Sequence, residues 1–186
     1  MSNPLTPPTT LNTLESELRL ALLVQARHIA YVANVQAATA FLGHEVDWDT
    51  WEGETVSFDL APFHIWTIVK AAYEYAYRFD PTDYVGLGVD LLDLFNSFSQ
   101  WEAGGILSPL WFPDSPLRQL ADKARARDKF DKDEVMDLKE LSRLLDCSED
   151  TIKSLFSYGG GPEVPWFRAS EVSHIVKMHP NFVPSQ

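Results

Sequence analysis

A chain of 186 residues accommodates one domain or two small ones, and with 45% hydrophobic residues, six Trp and eleven Phe it can fill a real core, which argues against wholesale disorder. Its formal net charge of −12 argues against general attraction to nucleic acid, because Lys and Arg supply most non-specific affinity for phosphate. Any nucleic-acid role must then rest on a local patch. Acids outnumber bases in residues 1–113 and again in 133–186, whereas 114–132 hold six bases against four acids. The expected organisation follows that charge: an acidic helical domain over 1–113, a basic linking helix over 114–132, and a small C-terminal domain over 133–186.

Met1 to Leu11 reads as a loose tail, and Met1 to Thr10 lacks the basic-then-apolar signature of a secretion signal. Asn12 followed by Glu15 is a plausible cap pair for one long helix that Gly43 closes. Its inward face would carry Leu14, Leu18, Leu22, Ile29, Val32 and Val35 or Gln36, with Leu20, Leu23, Val24 and Tyr31 adding apolar surface elsewhere. The breadth of apolar surface from Leu14 to Leu42 suggests a central helix or, alternatively, one face that pairs with a second chain. Polar residues Gln25, Arg27, His28, Asn34 and Gln36 interrupt that stretch, so it is not a membrane span.

Glu45 to Glu54 places carboxylates among Trp48 and Trp51. Two readings stand: a row of negative charge that docks a basic partner, or an exposed acidic loop pinned by its tryptophans. A second helix is expected from Pro62 to Phe79. Asp80-Pro81-Thr82-Asp83 then caps a third that runs to Ala103 and stops at Gly104-Gly105. Ile106 to Pro113 is a Pro-rich connection, and Ser115-Pro116 restarts a helix bearing Arg118, Lys123, Arg125, Arg127 and Lys129. That run either tracks a phosphate backbone or is a solvated face salted by Asp122 and Asp128.

From Met136 the pattern changes to two short helices joined by a tight turn. Leu138, Leu141, Leu144 and Leu145 face inward on the first, and small Ser142 stands where the helices approach. Asp146 occupies the turn position, where tolerance of a left-handed backbone is useful. Cys147 fills the apolar position after it, and Ser148 caps a second helix with Ile152, Leu155 and Phe156 inward.

The run Glu140-Leu-Ser-Arg-Leu-Leu-Asp-Cys-Ser-Glu-Asp-Thr-Ile152 resembles the excisionase and MerR-type winged helix-turn-helix domains. Gly159-Gly-Gly-Pro162, Trp166-Phe-Arg168 and Ser170-Glu-Val172 follow in the order those families use for turn, wing and closing helix. The resemblance covers about a quarter of the chain. It implies an all-α fold with a C-terminal winged helix-turn-helix and a DNA-binding transcriptional regulator of bacterial or phage origin. Lys153 and Ser154 would then enter a groove and Arg168 would sit in the wing, while Arg118, Lys123, Arg125, Arg127 and Lys129 held phosphates. Glu149 and Asp150 depart from this, because acids at a helix N-terminus stabilise the helix and disfavour anions. The alternative is a non-enzymatic interaction or inhibitor protein whose acidic surface engages a basic partner.

A lone Cys147 excludes an intrachain disulfide and a Cys-based zinc cluster, and fits a reducing cytoplasm. His28, His44, His64, His174 and His179 lack metal-ligand spacing. Gly86-Leu-Gly88 lacks the third glycine of a dinucleotide fingerprint, and no nucleophile–base pair is visible. Neither an enzymatic role nor a metal or other cofactor is expected.

Overall fold

A computed structural model describes residues 9–53, 56–78, 91–97, 107–156 and 166–182. These residues are mostly helical, with a single two-stranded ribbon among them. They divide into two compact units, one of residues 9–70 and 91–119, the other of 71–78 and 120–182. The basic segment expected as a linker is a helix whose first residues belong to one unit and whose remainder belongs to the other.

In the first unit, α1 spans Leu11–Val32 and α2 spans Val35–Leu42. Thr10 rather than Asn12 caps α1, its Oγ1 accepting from Thr13 N at 3.2 Å. The single helix expected up to Gly43 is broken at Ala33-Asn34. The Asn34 side chain accepts from Ala37 N at 2.8 Å and starts a new helix there. This is the competition a short polar side chain offers to a continuing helix. Gly43 closes α2 with φ +64°, a left-handed cap that a glycine adopts without strain. Leu14, Leu18 and Leu22 are buried, as an inward face requires, and Leu23 and Val24 outside that face are buried too. Val32 and Val35 are not: the break turns both into solvent. Edge-on contacts of Phe63 with Phe41 and Phe58, at 5.8 and 5.9 Å between ring centres, extend this core.

Helix α3 spans His64–Tyr73 and widens into a π-helical turn at Glu74–Arg78. Of the expected third helix, α4 at Leu91–Ser97 is described, while its cap at Asp80–Asp83 and its stop at Gly104-Gly105 lie outside the described residues. A short 3-10 turn at Pro109–Trp111 precedes α5, Pro116–Asp131. Ser115 Oγ accepts from Arg118 N at 3.1 Å, and Pro116 takes the first helical position, where a missing N–H costs nothing. Glu17 reaches across from α1 and its Oε2 accepts from Leu117 N at 2.6 Å, satisfying a second orphan donor of α5.

In the second unit, β1 (Val135–Met136) leads into α6 (Leu138–Leu144) and α7 (Glu149–Leu155), and β2 (Phe167–Arg168) leads into α8 (Ala169–Met178). The strands pair antiparallel, Val135 opposite Arg168 and Met136 opposite Phe167. Asp137 and Glu140 form a reciprocal cap on α6, at 2.7 and 3.0 Å. Met136, Leu138, Leu141, Leu144, Leu145, Ile152, Val172 and Val176 form the core with Ala126 and Phe130, and Cys147, Phe156 and Phe167 pack against it.

Candidate functional site

The turn between α6 and α7 is built from local chemistry. Asp146 takes φ +46°, the left-handed geometry expected of that position, and Ser148 Oγ accepts from Thr151 N at 3.2 Å to start α7. Cys147 is half-buried beside the core, and burial pushes its thiol up to about 11, with Asp146 adding to the effect. Ser142 is half-buried, its Oγ donating to Lys139 O at 2.9 Å and its carbonyl accepting from Cys147 N at 3.1 Å. Leu155, expected inward, is exposed at the C-terminal end of α7. The glycine turn at 159–162 lies outside the described residues.

The outer face of α7 opens with exposed Glu149 and Asp150, and Lys153 Nζ donates to Asp150 Oδ1 at 3.0 Å. Ser154 Oγ donates to the Asp150 carbonyl at 2.9 Å. Arg168 donates to the Asp133 carbonyl at 3.2 Å and lies 3.8 Å from its carboxylate, bracing the entry to β1. Both groups that the resemblance assigned to base contacts are thus turned toward acceptors of their own chain. Leu155 and Trp166 (64% exposed) flank the contact of Phe156 with Phe167, whose rings lie 5.0 Å apart.

The basic run does not form a stripe. Lys123 is 4% exposed and Arg127 2%, so neither presents its charge to solvent. Lys123 donates to Asp146 Oδ2 at 2.5 Å and to the Leu144 carbonyl at 3.3 Å, with the Tyr77 ring 4.6 Å away. Arg127 donates to Asp131 Oδ2 at 3.2 Å, where Tyr75 Oη also donates at 2.9 Å, and it stacks 4.6 Å from the Phe182 ring. Burial lowers the pKa of both bases, and their carboxylate partners offset part of that cost. Lys129 pairs with Glu140 at 2.5 Å. Arg118 donates to the Leu110 carbonyl at 2.7 Å and to Asn96 at 2.8 Å. Of the five, Arg125 is exposed, and Arg118 and Lys129 are half-buried. The physical reason is helical periodicity: bases at every second residue from 123 to 129 cannot share one face, and α5 buries the face that carries Lys123 and Arg127.

A different surface emerges in the first unit. Arg27 sits with its guanidinium 5.2 Å from the Trp51 ring and donates to the Trp51 carbonyl at 3.2 Å. Trp51 is buried, and Trp48 packs edge-on against it at 5.7 Å. Asp47 Oδ1 accepts from Asp49 N at 3.1 Å and tightens the loop. With the tryptophans directed inward, Glu45, Asp47, Asp49 and Glu52 are all exposed. Sequence supplied both the acids and their anchors; what it lacked was Arg27, one helix away, as the fixing point. Among the described residues, no group of three or more His, Cys, Asp or Glu is arranged to hold a metal, and no helix is long and apolar enough to cross a membrane.

Comparison with protein-family models, with curated proteins and with solved structures finds no match to this chain.

Proposed function

We propose that this protein is a non-enzymatic interaction module whose acidic surface engages a basic protein partner, and that its C-terminal segment is a winged helix-turn-helix serving as scaffold rather than as a DNA reader. The observation that carries the reading is the loop at 45–52. Trp51 is held inward against Arg27 and Trp48 packs on it, while Glu45, Asp47, Asp49 and Glu52 stand exposed. A pre-ordered row of carboxylates loses little entropy on binding and steers a cationic partner from a distance. The disposition of the bases supports the same reading. Lys123, Arg127, Lys129, Lys153 and Arg168 face carboxylates of their own chain, so a phosphate backbone would have to displace those partners.

A DNA-binding regulator is the second reading, favoured by the order of capped helix, left-handed turn, capped helix, ribbon and closing helix over residues 135–178. One pair of titrations separates the two. The intact protein is titrated against labelled genomic DNA fragments and against a labelled lysine- and arginine-rich peptide, each over a range of salt. The acidic-surface reading expects peptide binding that weakens at least about tenfold when Glu45, Asp47, Asp49 and Glu52 are changed to Gln or Asn, with the melting temperature not lowered. It is overturned by DNA binding whose log affinity falls against log salt with a slope near −0.9 per phosphate contact. It is also overturned if the neutralised variant binds the peptide as the parent does.

A further inference from the structure

We infer that the corner between α1 and α2 is a self-association surface that takes a second copy of this chain. The break at Ala33-Asn34 brings Tyr31 and Val32 at the end of α1 and Val35 at the start of α2 into solvent, exposed by 69%, 69% and 49%. Every residue from Tyr31 to Gln36 is exposed. Three apolar side chains are thus exposed within a five-residue stretch. Leu14, Leu18, Leu22, Leu23 and Leu42 of the same helices are buried within the unit, whereas these three side chains are not.

Charge identifies the occupant. From His28 to His44 the chain contains no Asp, Glu, Lys or Arg, although such residues make up 23% of the whole. Two molecules of net charge −12 repel one another, and repulsion is least where neither contributes a charge to the contact. A twofold axis through the corner sets Tyr31, Val32 and Val35 against their own counterparts, a self-complementary arrangement with no buried charge on either side. A cationic partner, by contrast, gains nothing from a neutral corner and is drawn to the acidic loop. Few side chains are involved, so the interface belongs to the small, weak class.

Such a contact has an unusual salt signature. An interface held by ion pairs loosens as salt rises, whereas this one tightens, because screening removes the repulsion between the two acidic bodies and leaves the apolar contact intact. Sedimentation velocity on the full chain, from about 1 μM to about 1 mM at low and high sodium chloride, reads it directly. The expected result is a monomer–dimer equilibrium whose dissociation constant falls at least about threefold at high salt. Val35→Glu places like charges across the axis and should weaken the dimer at least about tenfold; an acid at a helix N-terminus favours the fold, which circular dichroism checks. Tyr31→Ser removes apolar area without adding charge and should weaken it too.

A monomer throughout the range at both salts overturns the inference. So does a dimer that Val35→Glu and Tyr31→Ser leave unchanged, or one that tightens at low salt. Sedimentation of monomeric protein with zwitterionic lipid vesicles, lost in Tyr31→Ser, would assign the corner to a lipid surface instead.

Discussion

Glu17 illustrates how one side chain can carry a pH dependence for its unit. It lies on α1, yet its carboxylate is used at the N-terminus of α5, accepting from Leu117 N at 2.6 Å. Burial pushes its pKa up to about 7, and hydrogen bonds from Leu117 and Ser115 only partly counter that. A carboxyl whose folded pKa is raised holds its proton more tightly folded than unfolded. Protonation therefore stabilises the fold fully below the unfolded value near 4.5, and that contribution is lost as pH rises through about 7. Glu17→Gln keeps a carbonyl acceptor for Leu117 but removes the titration. The variant should melt higher than the parent at pH 8, and the difference should shrink as pH falls below 5. Thermal melts of both proteins across this range check it; parallel curves would remove Glu17 from the account.

The turn between α6 and α7 joins a local requirement to a distant one. Left-handed backbone at Asp146 costs a β-carbon-bearing residue about 1 kcal/mol, less for Asp or Asn, so residue choice alone permits the turn. Its carboxylate, however, also faces the buried ammonium of Lys123, 23 positions away in sequence. Removing one member of such a pair leaves the other uncompensated. Asp146→Ala should therefore cost roughly 3 kcal/mol, combining an unpaired buried charge with a strained turn. Lys123→Met should cost less, because the carboxylate it abandons is 42% exposed and water can solvate it. In the double variant Lys123→Met, Asp146→Gly most of the loss should return, since glycine accepts the turn and no buried charge remains. Denaturant unfolding of the three proteins decides this, and additive losses in the double variant would contradict the pairing.

A charge of −12 places the chain well away from electrostatic neutrality, and self-repulsion opposes its compact state. Many described bases near acids are in pairs at the surface, such as Lys132 with Asp128 and Lys153 with Asp150, which are worth little individually. Screening should therefore relieve more repulsion than it removes attraction. The melting temperature at neutral pH should rise as sodium chloride is added, and rise less at pH 5, where carboxylates begin to protonate. Differential scanning calorimetry at two salt concentrations tests it, and a fall in melting temperature with salt would mean that the ion pairs dominate. Charge also separates the two functional readings, since the acids that oppose phosphate are the same groups that attract a cationic partner.

What the sequence determined by itself is what neighbours within four residues decide. The left-handed Asp146, the Ser148 cap, the Ser115-Pro116 start and the Gly43 stop are all visible in the sequence, because each is settled by a backbone requirement only a few positions away. Asn34 was open to the same reading, but a continuous apolar pattern on both sides masked it. The direction of the charges was not legible. Lys123 and Arg127 read as a basic stripe, yet their partners are Asp146, Tyr77 and Phe182, along with an Asp131 that also takes Tyr75 from 56 positions away. Whether a base faces solvent or carboxylate depends on which side of its helix the rest of the chain covers. That is decided only when distant segments pack, because burial of a charge is favourable only where an opposite charge has been brought to meet it.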